Sequence, residues 1–330
     1  MRTLLCALAA VVALCACDGD AAMSPKSGGR PYEVLIVSAG AGGGGRLLAD
    51  ALSEDAPGLP QAEPLFDVSL TDSLRFNQTA RLARNIVIVT VSPDRFTRTR
   101  IRYEKNVWAR PQTVVYVNTP DTAALGRRLN QVGRHVADLL TRSEMNVEIA
   151  RLADGGNAEA SAAVDSMFGW RMMIPADMTS SKRGEDFLWL SDNAAGGMQS
   201  ICVYSYPGLS LDPERALAVR DSVMKANIPG ERPGMYVRTA RPTVSFALAK
   251  EGGRTVMKGR GLWEMQGDAM GGPFVSHWIV DSAAGRIIAA EAFVYAPETK
   301  KRNLVRQAEA VLYTLEKAKP GNGKRTAAPK

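Results

Sequence analysis

Residues 287–295, Ile287-Ile288-Ala289-Ala290-Glu291-Ala292-Phe293-Val294-Tyr295, are apolar except for one carboxylate. With side chains alternating in an extended strand, Ile287, Ala289, Glu291, Phe293 and Tyr295 share one face. Working outward, further strand-like runs occur at 168–174, 186–191, 199–206, 235–240, 243–249, 255–265 and 274–280. Two helices punctuate them. Residues 212–226 carry Asp212 as cap and Pro213 in the first turn. Residues 300–316 turn Leu304, Ala308, Val311, Leu312 and Leu315 inward. Strand-rich runs with helices set between them predict an antiparallel sheet with helices packed on it.

The preceding stretch predicts a second unit. Val34-Leu35-Ile36-Val37 and Ile86-Val87-Ile88-Val89 are short continuous apolar runs suited to strands covered on both faces. Phe66–Leu70 and Arg100–Tyr103 alternate, and Thr113–Val117 adds another strand. A helix follows with Thr119 as cap, Pro120 in the first turn, and an inward stripe of Leu125, Leu129, Val132, Val136 and Leu139. Helix continues over 144–168, broken at Gly155-Gly156. The expected class is α+β: domains 31–155 and 156–317, each a mostly antiparallel sheet with helices packed on it.

The ends of the 330-residue chain are different in kind. Met1-Arg2-Thr3, an apolar run from Leu4 to Leu14, then Leu14-Cys15-Ala16-Cys17 resemble a bacterial lipoprotein signal. That predicts cleavage after residue 16, acyl chains including palmitate on Cys17, and a tether over 17–30. The signal run is too short to span a bilayer. Cleavage leaves Cys202 as the single free thiol, so no disulfide within the chain is expected.

Charge follows the same division. The mature chain has 40 basic against 34 acidic residues, and five of the basic ones follow Glu316. Residues 17–316 therefore carry 35 against 34, and residues 318–330 are expected to be a disordered basic tail. Nucleic-acid binding loses its main support, because it needs a basic folded face.

Certain stretches carry a resemblance. They include Arg30-Pro31-Tyr32-Glu33-Val34, Gly58–Gln61 with Glu63–Asp67, Asn106–Gln112 and Tyr204–Pro207. Others are Arg220-Asp221-Ser222, Arg260–Glu264, Met270–Ser276 and Phe293–Pro297. In this order they resemble the Bacteroidota envelope lipoproteins known as domain of unknown function 4837, over nearly all of residues 30–316. The resemblance implies an envelope lipoprotein and brings no catalytic residues. The order of elements over 168–316 is also similar, more weakly, to the PsbP-like fold, which implies protein binding.

Several constellations invite chemistry. Gly40-Ala41-Gly42-Gly43-Gly44-Gly45 satisfies G-x-G-x-x-G after a strand and before a helix expected near Leu47. An exported chain meets almost no nucleotide, and no acidic residue closes a second strand at the required distance. A flexible loop is the better reading, so neither nucleotide nor other cofactor is expected.

Arg220 falls inside the apolar stripe of helix 212–226, and Glu291 lies among apolar neighbours. A charge so placed needs a partner or a ligand, which predicts an Arg220–Glu291 ion pair. In Gly259–Glu264, the glycines share a face with Trp263, and Arg260, Leu262 and Glu264 share the other. Gly261 is expected beneath Trp278, or else Trp263 and Trp278 form a shallow ligand site beside Asp268.

Metal and nucleophilic chemistry lack parts: no C-x-x-C, H-E-x-x-H or G-x-S-x-G occurs. His277 reads as a core residue. His135 sits at the edge of a basic helix face with Arg127, Arg128, Arg134 and Arg142, read as solvated. The expectation is a lipid-anchored binding or assembly module without catalytic residues. Its partners would be the membrane through its anchor and an envelope protein, at the outer membrane (periplasmic face or cell surface). The alternative is a hydrolase of envelope polymers acting through Glu264, Asp268 or Glu291.

Overall fold

The computed structural model describes residues 24–39 and 43–318. The signal segment, Cys17, residues 40–42 and the tail from 319 onward lie outside the described residues.

The N-terminal unit runs β1 (Glu33–Ser38), α1 (Gly43–Leu52), β2 (Asp67–Asp72), β3 (Asn85–Val91), β4 (Arg100–Lys105) and β5 (Thr113–Thr119). It closes with α2 (Thr122–Gly126) and α3 (Leu129–Asp154). Its sheet has the order β2-β1-β3-β5-β4. The apolar runs β1 and β3 take central places, and the alternating β2 and β4 form the edges, as half-exposed strands must.

Here one expectation is corrected. The pairs β1–β2, β1–β3 and β3–β5 are parallel, and only β4 is antiparallel. Alternation reveals which faces are buried, whereas strand direction depends on the connection, and α1 is a crossover that returns the chain parallel. The α+β class and the two units stand.

Other local differences have plain causes. Asp121, not Thr119, accepts from Ala124 N, so the helix expected from 119 starts later and splits at 126–128. α1 begins at Gly43 rather than near Leu47. A Cβ on Gly45 would approach the Ser38 side chain and one on Gly44 would lie 3.3 Å from Val89, so these glycines let helix and sheet close up. The described part of the tether is docked: Ser27 N donates to Arg110 O, Gly28 N to Leu82 O and Arg84 N to Gly28 O. Backbone pairing therefore starts before residue 30.

After Gly155, α4 (Ala158–Phe168) leads to β6 (Trp170–Arg171), β7 (Ser180–Arg183), β8 (Phe187–Ser191) and β9 (Met198–Pro207). Then come α5 (Pro213–Asn227), β10 (Tyr236–Thr239), β11 (Ser245–Glu251), β12 (Arg254–Gln266), β13 (Gly271–Asp281) and β14 (Arg286–Tyr295). The last elements are α6 (Arg302–Leu312) and β15 (Glu316–Lys317). The main sheet is antiparallel, in the order β10-β12-β13-β14-β9-β8-β7 with β11 beside β12. Helices α4 and α6 cover one face, where Ile288, Ala290, Ala292 and Val294 point; α5 covers the other, with Ile287, Ala289 and Phe293. Lys317, grouped with the tail by charge, is fixed by β15–β6 pairing and an ion pair to Asp281 at 2.6 Å.

Candidate functional site

The C-terminal core brings Arg220 and Glu291 together. Arg220 Nε and Nη2 donate to the two carboxylate oxygens of Glu291 at 2.8 and 2.6 Å, and both side chains are fully buried. Ser276 Oγ donates to Glu291 at 2.7 Å; Arg220 Nη1 donates to Thr239 Oγ1, which in turn donates to Asp221. The Phe274 ring lies 4.1 Å from the guanidinium. Burial pulls the Arg220 pKa down, but the Glu291 charge and its hydrogen bonds outweigh this and leave it raised. The Arg220–Glu291 pair itself is sealed in the core, while the chain of contacts reaches the surface through half-buried Asp221, which pairs with Arg241.

The remaining predicted residues do not converge. Arg260 reaches across to α6, with Nη2 2.8 Å from Glu309. Glu264 is exposed and paired with Arg238 at 2.7 Å. It projects from the α6 side of the sheet, whereas Glu291 projects from the α5 side. Asp268 accepts from Ala269 N at an exposed turn.

Trp263 and Trp278 are both core residues, as the packing reading has it, which removes the alternative of a shallow aromatic site. Trp263 donates to Val294 O and packs on Phe293 and Tyr295, and Trp278 packs on Phe246. The glycine beneath Trp278 is Gly259, because Met257 pairs with Trp278 in register; Gly261 faces Val244 instead. Cys17 lies outside the described residues.

His277 is buried under Tyr313 with Nε2 unpartnered, and burial, then the Lys258 and Arg260 charges, lowers its pKa to about 3. Buried Cys202 has its thiol raised by burial, so it is no nucleophile. Among the described residues no three His, Cys, Asp or Glu are placed to hold a metal ion.

The two units meet through α6. Glu63 accepts from Lys301 N at 2.6 Å and Arg302 N at 3.0 Å, supplying the cap that α6 lacks in its own sequence. Arg302 donates to Pro64 O and Asp67, and Arg306 donates to Leu65 O while covering the rings of Tyr32 and Phe66. The 58–67 stretch is therefore a clamp between the units.

One surface went unread in the sequence. Helices α1 and α3 cover only one face of the N-terminal sheet. On the other, Leu35, Ile86 and Val114 are roofed by coil bearing Phe76, Val107 and Trp108. Toward the carboxyl ends of β3 and β5 that roof stops, leaving half-buried Ile88, Thr90, Tyr116 and Asn118.

Alternation in β4 sends Arg100 and Arg102 to this face, opposite Asn118 and Tyr116. Arg102 stacks 3.6 Å from the Tyr116 ring and pairs with Glu104. Residues 73–112 carry nine Lys or Arg against two Asp or Glu, leaving 26 against 32 in the rest of 17–316. Whole-domain charge hid this division, and the spacing of Arg95, Arg98, Arg100 and Arg102 was its signal.

Residues 157–314 match the family Domain of unknown function (DUF4837), and residues 27–153 match a different one, Domain of unknown function (DUF8532). The resemblance to domain of unknown function 4837 thus holds for the C-terminal unit, while the N-terminal stretches assigned to it fall within the second family. No curated protein matches the chain. A mutant of protein Mog1 is a similar solved structure, at 10% identity and a TM-score of 0.28, covering 46% of this chain and 92% of its own.

Proposed function

We propose that this chain is a lipid-anchored binding module of the cell envelope, acylated at Cys17, that presents the helix-free face of its N-terminal sheet to an envelope protein. One observation carries the reading. The charged residues in the C-terminal core and between the units are tied to one another, whereas this one sheet face is left partly uncovered with Ile88 and Tyr116 half-buried beside arginines. A hydrolase would need two carboxylates facing a common cleft; Glu264 and Glu291 project from opposite faces of their sheet.

The test has two parts. Replacing Cys17→Ser moves the protein from the membrane to the soluble fraction if the anchor is real. Photo-crosslinking residues placed at Thr90 and Tyr116 in the native envelope give discrete protein adducts, while one at exposed Leu248 gives none. Unchanged partitioning ends the anchoring claim, and equal or absent adducts at all three positions end the docking claim.

A further inference from the structure

We propose that the cleft between the β3–β4 loop and the end of β5 is an anion site for a phosphate ester. It goes beyond the reading above, since it holds whether or not Cys17 is acylated or a protein docks on the open face. The cleft encloses about 450 Å³ and is lined by Arg95, Arg98, Arg100, Arg102, Phe96 and Asn118, among others. That is within the range of small-ligand sites, large enough for a phosphate and the group it esterifies.

Three features make it a site rather than a basic patch. First, its charge is uncompensated. Arg102 has Glu104, but the side chains of Arg98 and Arg100 make no ion pair or hydrogen bond among the described residues, and the Arg95 side chain meets only the Phe96 ring. Unpaired surface arginines occur elsewhere too, Arg46, Arg75 and Arg183 among them, but here three line one cleft.

Second, the loop is held in shape. Ser92 N donates to Thr119 O, Phe96 N donates to Ser92 O, and the buried hydroxyls of Thr99 and Thr119 bond at 2.9 Å. A guanidinium loses less freedom on binding when the backbone beneath it is already fixed. Third, several arginines converge there: the β3–β4 loop and the start of the antiparallel edge strand β4 bring them beside Asn118 near the carboxyl end of β5.

The chemistry selects phosphate over carboxylate. Three unpaired guanidinium groups offer planar forks of donors and a charge near three, suiting a doubly charged phosphoryl group better than a singly charged carboxylate. Asn118 and Thr97 add uncharged polar groups for the esterified moiety, and Phe96 adds an apolar ring.

The purified full chain is titrated calorimetrically with inorganic phosphate, glycerol 1-phosphate and acetate. It is also sedimented with phosphatidylcholine vesicles with and without phosphatidic acid, whose headgroup is a phosphomonoester. Saturable binding of either soluble phosphate, at one site per chain, supports the site and identifies a free ester as its ligand. Binding confined to phosphatidic acid vesicles supports it and identifies a lipid headgroup.

In either case Arg98→Ala with Arg100→Ala weakens binding about tenfold or more. Arg95→Ala alone weakens it less, and Arg238→Ala, which breaks an exposed pair elsewhere, leaves it unchanged. The three cleft arginines substituted are exposed, and the melting curve of each variant checks its fold. The proposal is overturned if no phosphate probe binds, if acetate binds as tightly, if the double variant binds like the parent, or if Arg238→Ala costs as much.

Discussion

Glu63 caps a helix that belongs to the other half of the molecule, its carboxylate receiving the backbone N–H groups of Lys301 and Arg302. Neither Lys301 nor Arg302 can supply that acceptor from its own side chain. Glu63→Ala is expected to lower stability by about 1–2 kcal/mol, the usual worth of a cap strengthened by a helix dipole. Because the contact bridges the units, scanning calorimetry should also show the two units unfolding less cooperatively in the variant than in the parent. A variant that melts like the parent would mean that α6 does not depend on its neighbour.

The Arg220–Glu291 pair should behave as an all-or-none unit. Removing one partner strands a charge in a dry core, so Glu291→Gln or Arg220→Ala is expected to cost about 3–5 kcal/mol in urea unfolding. Replacing both by Met and Leu removes two desolvated charges together and should recover most of the loss. A double variant no better than either single one would indicate that the pair does more than satisfy itself.

His277 sets a pH dependence whose sign follows from its environment. Burial holds it neutral in the fold, with a pKa lowered to about 3, against about 6.5 in the unfolded chain. The unfolded state therefore binds the proton first. The contribution is fully present above about pH 6.5 and is lost as pH falls toward 3, at roughly 1.4 kcal/mol per unit. Asp281 has the same sign but acts at lower pH, its share being lost only as pH falls below about 4: burial raises its carboxyl, but Lys317 and Trp170 bring it below the usual range. His277→Leu should flatten the stability profile across this window, and parallel profiles for parent and variant would contradict it.

How much of this was legible follows from which signals are local. Eight strands of the C-terminal unit announce themselves by apolar runs, and so does the isolated charge of Arg220 in a helix stripe and of Glu291 in a strand. The two-residue β15 and the polar β7 carry no such signal, because their pairing partners create them. The parallel N-terminal sheet was unreadable for another reason: β1 and β2 look the same whichever way the connecting helix returns. Register defeated the pairing of Trp278, since a shift of two residues between β12 and β13 keeps every face assignment and changes only which glycine lies beneath the indole. The open arginine face was lost to averaging, because an acidic remainder cancels residues 73–112 in any whole-chain sum.

Gly259 provides the sharpest check on that register. A Cβ there would lie 2.7 and 3.0 Å from two ring atoms of Trp278 and 3.2 Å from Phe246. Trp278 is fully buried, so the indole has no room to retreat. Gly259→Ala is thus expected to destabilise by about 1–3 kcal/mol through overpacking, although alanine suits a strand better than glycine does. Gly253→Ala, three residues before the buried part of β12, is the contrast: its cost comes from a φ of +79° in a turn, with no atom within 4 Å of the added carbon. Trimming the indole with Trp278→Leu in the Gly259→Ala background separates the two causes. If the clash with Trp278 is the penalty, the effects of the two substitutions fall well short of additive; full additivity would place the tryptophan over another residue.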